Sequence, residues 1–293
     1  MQLLTIVVLS GTFFSCAPLS KGQMKAVTDF ATVCDSFSKY PSTLFIEMAN
    51  VRSSRGIYFA SSLSTPELRV EELNSIYSAM EKDISLAKKC NISMEVIGGY
   101  SRALKLLAGE SRWKDSGREF RSLGRSIDSL AAKINAFDFM DDAIPLGFGK
   151  SAGRIVGYSM EMFKRRAQAR AVKDFVSQGD TLVSVVIGSL VKVLRSQEVT
   201  SMIENERKSL EQNYISYLKS GNSDDKGYLA LKKRVESLSY ARGAIISSAN
   251  RLIKSHNKIA QSMHNGRDFD EIFTDITNFQ KEVKVLTQLF NSL

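Results

Sequence analysis

Residues 231–263 read LKKRVESLSYARGAIISSANRLIKSHNKIAQSM, and their spacing decides the fold. Leu231, Val235, Leu238, Ile245, Ala249, Leu252, Ile259 and Met263 follow alternating steps of four and three, interrupted only at Arg242 and His256. That period gathers apolar side chains on one face of a helix. Phe269, Ile272, Ile276, Phe279, Val283, Leu286 and Phe290 repeat it. Asn265-Gly266 between the two series supplies a tight turn. The sequence therefore predicts an antiparallel hairpin packed at coiled-coil-like angles.

The same texture extends toward the N-terminus. Residues 21–61 read as one long helix or two collinear ones, with Phe30, Val33, Phe37, Tyr40, Leu44, Met48 and Val51 on one face and a kink at Pro41. Ser64-Thr65-Pro66-Glu67 is a helix start: a hydroxyl cap, Pro in the first turn and Glu behind it. Leu73, Ile76, Met80, Ile84 and Ala87 form the stripe that follows. Cys90-Asn91 and Gly98-Gly99 are expected interruptions, and Gly109 a stop. Residues 116–139 form a third helical stretch. The texture breaks at Asp141–Gly149, the best candidate loop and domain boundary. Beyond it, Gln178-Gly179-Asp180-Thr181 is expected to separate a basic helix from the apolar run 182–191, which reads as the first turns of a buried helix. A further helix is expected to start at Ser201.

These readings give an all-α chain, a bundle of long antiparallel helices ending in the C-terminal hairpin. Residues 16–140 and 141–293 are its two helical regions within one continuous domain. Hydrophobic residues make up 43% of the 293, enough for a sizeable core. All 4 prolines lie before residue 150, so the second half can run as uninterrupted helix.

At the N-terminus, Leu3 to Phe14 is an apolar run ended by Phe14-Ser15-Cys16 and the flexible Ala17-Pro18-Leu19-Ser20. It has the length of a secretory core, about 7–15 residues, and not the roughly 20 of a membrane span. These residues resemble a bacterial lipoprotein signal peptide, in which a small residue precedes a cysteine that is acylated and becomes the new N-terminus. Ser15 takes the small position, and Phe13 stands where Leu is usual. The resemblance implies that residues 1–15 are removed, that Cys16 carries a lipid, and that the chain is anchored in the cell envelope. Ala17 implies sorting to the periplasmic face of the outer membrane in a Gram-negative cell. The segment Gly99–Ala108 is similar to segments of uncharacterised helical bacterial lipoproteins.

An exported chain changes the meaning of its charge. Net charge is +9. In the envelope, nucleic acid is a poor partner, whereas anionic lipid headgroups or cell-wall polymers are good ones. Lys164, Arg165, Arg166 and Arg170 form the candidate anion-binding cluster, the alternative being a solvated face. Cys34 and Cys90 could pair as a disulfide in an oxidising compartment or stand as two small buried hydrophobes.

Recognisable chemistry is sparse. Gly147-Phe148-Gly149-Lys150-Ser151 evokes a phosphate loop, but Ile144 stands where its first glycine should be and no strand precedes it. His256 and His264 are about 12 Å apart along one helix and cannot share a metal. His256 reads as a seam residue at a bundle edge. Asp141-Asp142 read as solvated or capping. No catalytic residue, cofactor or metal is expected. The sequence thus predicts a lipid-anchored, non-enzymatic helical bundle that binds a partner protein or an anionic envelope component. The alternative is a membrane-active effector that inserts segment 143–191 into a bilayer.

Overall fold

The computed structural model describes residues 19–109, 113–136, 143–144, 146–150, 164–265 and 270–292. The chain is all-α. Among the described residues the principal helices are α1 (Lys21–Phe37), α2 (Pro41–Ser61), α3 (Pro66–Ala108), α4 (Trp113–Asn135), α5 (Lys164–Arg195), α6 (Gln197–Lys219), α7 (Asp225–Asn265) and α8 (Asp270–Asn291).

The helix starts follow from local chemistry. Ser20 forms a capping box with Gln23: its hydroxyl accepts from the Gln23 N–H at 3.1 Å, and its own N–H donates to the Gln23 side chain at 2.7 Å. Pro41 breaks residues 21–61 into two helices rather than kinking one, because α1 ends at Phe37 and Pro41 occupies the first turn of α2. Thr65 caps α3, accepting from the Leu68 N–H, with Pro66 next to it. Ser196 caps α6, five residues before the expected cap Ser201.

Three expected breaks, at Cys90-Asn91, Gly98-Gly99 and 178–181, are continuous helix. Gly98 and Gly99 lie inside α3, where they let neighbours close in. A Cβ on Gly98 would stand 3.1 Å from the Ser38 hydroxyl of α1, and one on Gly99 3.2 Å from Ile127 of α4. Gly179 lies inside α5, which runs unbroken through 178–181 and carries the run 182–191 in its interior.

Two long helices organise the bundle. α3 packs against α1, α2, α4 and α5, and α7 packs against α8, α5, α2, α6 and α1. One hydrophobic core therefore joins both halves of the sequence, from Phe30, Tyr100 and Ile127 to Phe175, Ile245 and Phe279. The α7–α8 hairpin is antiparallel as its heptads predict. Arg251 pairs with Glu282, Lys254 with Asp275 at 3.1 Å, and Lys258 with Asp275 at 2.6 Å and with Glu271.

Residues 143–144 and 146–149 are pinned against the core. Asn135 brackets Ile144, accepting from its N–H at 2.7 Å and donating to its carbonyl at 3.0 Å. The Asp128 carboxylate accepts from the N–H groups of Gly147, Phe148 and Gly149, each at 2.8 Å. Gly147 has φ +117, a conformation that excludes an ordinary side chain. Ile144 and Phe148 are fully buried.

Candidate functional site

The most chemically capable arrangement lies at the centre, where α3, α5 and α7 meet. His256 is fully buried, not at a bundle edge. The Tyr100 hydroxyl and His256 Nε2 are 2.8 Å apart. On the other side of the ring, His256 Nδ1 stands 3.2 Å from the Asp180 carboxylate. In the tautomer whose Nδ1–H donates to the carboxylate, Nε2 accepts from the phenol.

Aromatic rings enclose this chain. Phe175 stacks on Tyr100 at 5.2 Å, Phe148 meets it edge-on at 6.4 Å, and Phe30 packs against His256 at 5.7 Å. Asp180 is the open end, its side chain about half exposed. The Asn257 amide nitrogen, turned toward it, donates at 3.1 Å. The hydrogen bond from His256 holds the Asp180 carboxyl below its ordinary range, against the opposing effect of burial. Burial drives the Tyr100 phenol well above its ordinary value, reinforced by Cys34 and Asp180.

The order carboxylate–imidazole–hydroxyl is that of a nucleophile-activating triad. Here the hydroxyl is a phenol made less acidic by burial, it is fully enclosed, and its hydrogen bond is spent on His256. What this chain does for the fold is satisfy three polar side chains at once and lock the registers of α3, α5 and α7.

Cys34 and Cys90 are both buried, and both are free thiols. The disulfide that the sequence allows is not formed. Cys34 touches Ser101 on α3. Cys90 lies eleven residues earlier on the same helix, about 16 Å along its axis, far outside the roughly 7 Å over which Cα atoms can be bridged. Burial pushes both thiols up to about 12, Ser101 moderating the shift at Cys34.

A second polar network ties α2, α3 and α6. Glu206 accepts from Arg52 at 3.0 Å and Arg55 at 2.6 Å, and Arg52 reaches Asp83 at 2.9 Å. Beside it, Tyr214 stacks on Tyr228 at 4.3 Å and packs against Tyr58 at 5.1 Å.

Of the residues singled out in the sequence, Arg170 is exposed on α5. Lys164, Arg165 and Arg166 open the same helix, and their side chains lie outside the described residues, as do Cys16, the Asp141-Asp142 pair and the His264 side chain. The backbone donors of the Gly147–Gly149 loop already hold the Asp128 carboxylate, so a phosphate would have to displace it. Between α7 and α8 runs an open groove of about 470 Å³, lined by Ser239, Tyr240, Gly243, Ala244, Ser247, Glu282 and Val285. Among the described residues no cluster of three or more His, Cys, Asp or Glu is arranged to hold a metal.

Sequence reasoning missed Tyr100 and Asp180. The signal for them was His256 itself: an imidazole at a core heptad position needs polar partners from other helices. Comparison with known protein families, with curated proteins and with solved structures finds no match to this chain.

Proposed function

We propose that the chain is a lipid-anchored, non-enzymatic protein of the cell envelope whose helical bundle binds a partner protein or an anionic envelope component. The observation that carries this reading is the enclosure of Tyr100 and His256. The groups best able to do acid–base or nucleophilic chemistry are hydrogen-bonded to one another in the core. What the bundle offers outward is shape and charge: the α7–α8 groove, the exposed Arg170 and a net charge of +9. Cys16 supports the anchor, and Ala17 supports the outer-membrane address.

Intact-mass spectrometry on membrane-extracted protein tests the anchor. The expected species lacks residues 1–15, carries acyl groups on Cys16, and has two free thiols. A full-length, unacylated chain recovered from the cytosol refutes it. Co-sedimentation with anionic and zwitterionic vesicles tests the ligand class, the anionic arm being expected to bind and to lose binding with added salt.

One observation favours the second reading, a bilayer-inserting effector. The helical stretch Gln168–Arg195 is long and apolar enough to cross a membrane. Its apolar side chains Leu182, Val183, Val186 and Ile187 are fully buried in the bundle, so insertion would first require α5 to leave α3 and α7. Leakage of dye from vesicles on adding the mature chain would support that reading.

A further inference from the structure

The stripe expected along the start of α3 divides into two rows. Ile76, Asp83 and Ala87 are buried. They face α2: Ile76 fills the space over Gly56, and Asp83 pairs with Arg52. A second row stands one residue round the helix, about 100° away. It comprises Val70, Leu73, Tyr77, Met80 and Ile84, in steps of three, four, three and four. Val70 is 57%, Leu73 41% and Tyr77 60% exposed, and Met80 and Ile84 are half-buried. Single exposed apolar side chains are ordinary; a heptad row about 21 Å long is the seam of a coiled coil without its second helix.

The charges beside the row say what covers it. On its outer flank lie Glu67, Asn74, Glu81 and Lys88, all exposed. On its inner flank, Arg69 bonds the Ser61 carbonyl, while Ile76, Asp83 and Cys90 are buried in their own chain. A parallel pairing would have to draw its flanking contacts from that inner side. An antiparallel pairing sets outer flank on outer flank and inner on inner, so its charged contacts can come from the outer side alone. With Leu73 of one copy over Ile84 of the other, Tyr77 falls over Met80. The same register brings Glu67 of each copy to Lys88 of the other, on both sides of a twofold axis. Acid at one end of the row and base at the other make the surface complementary to itself.

We propose that this row is the interface of an antiparallel, twofold-symmetric dimer formed by two copies of the chain through α3. The proposal does not depend on an anchor at Cys16.

Sedimentation velocity on the full chain in dilute detergent tests it, with Tyr77→Glu, Glu67→Lys, Lys88→Glu and an equimolar mixture of the last two. A concentration-dependent dimer is expected. Tyr77→Glu should weaken it by about 100-fold, because a charge is driven into the seam. Each single charge reversal should weaken it by about tenfold, because it sets like charges opposite one another twice. Mixing the two reversed chains should restore association as a heterodimer. Residue 77 is exposed, so circular dichroism of that variant should match the parent. A chain monomeric up to the order of 100 µM, or a dimer indifferent to Tyr77→Glu, overturns the proposal. Failure of the mixture to recover overturns the antiparallel register.

Discussion

The ring of Tyr100 fills the space in front of Gly179, so closely that a Cβ at 179 would overlap the phenol carbons and hydroxyl. Gly179→Ala should therefore lower stability by about 1–3 kcal/mol, the usual cost of overpacking a filled core. Gly243 is also inside a helix but has nothing within 4 Å of an added Cβ. Gly243→Ala should raise stability by about 0.5–1 kcal/mol through helix propensity alone. Urea midpoints of the two variants should move in opposite directions.

Tyr100→Phe keeps the ring and removes the hydroxyl. It leaves His256 Nε2 buried without its partner, which should cost about 1–3 kcal/mol. A double-mutant cycle between positions 100 and 256 should show strong non-additivity, since the two side chains share one network. Additive effects would show that the two groups do not interact.

Acid sensitivity should be carried in part by Asp180. Its folded value lies below that of an unfolded carboxyl, through the bond from His256. Its contribution is full above the unfolded range, about pH 4, and is lost as pH falls through the folded value. Asp275 acts in the same sense: burial disfavours its charge, but Lys258 and Lys254 together outweigh it. Asp83 acts oppositely. Burial raises its carboxyl, Arg52 opposes and Glu206 adds to the shift, so its contribution favours the fold at low pH and fades as pH rises through the raised value. Asp180→Asn should flatten the loss of stability below about pH 4, measured as the urea midpoint against pH.

Cys34 and Cys90 should be silent toward a thiol reagent at pH 8 while the chain is folded, and should react together once urea unfolds it. Rapid labelling of either thiol in the native chain would contradict the burial seen at both positions.

Glu206→Ala should be the most damaging single change in the α2–α6 contact, about 3–5 kcal/mol. Arg55 loses its ion-pair partner there, and Arg52 keeps only Asp83. Glu206→Gln, which preserves shape and one acceptor, should cost less.

The hairpin α7–α8 was legible because its heptads are local, and the α3 start because Thr65-Pro66-Glu67 is a local signature. Gly98, Gly99 and Gly179 were misread as breaks. Low helix propensity marks a glycine that ends a helix and one that admits a neighbour alike, and only the neighbour distinguishes them. Tyr100 and Asp180 lie 156 and 76 residues from the His256 they bond. No spacing rule reaches that far, although a histidine at a heptad core position signals that partners exist. The split of the α3 stripe into a covered row and the exposed row at Val70, Leu73 and Tyr77 was not legible, because periodicity marks where apolar residues align, not whether the bundle covers them.

The sealing of Cys34 and Cys90 turns oxidative risk into a question of timing. Once the helices close, oxidants in the surroundings find nothing to attack at either sulfur. Before they close, both thiols are open to mispairing or over-oxidation. Damage at these positions should then scale with how fast new chains are made and how slowly they mature, and hardly at all with the age of a finished molecule.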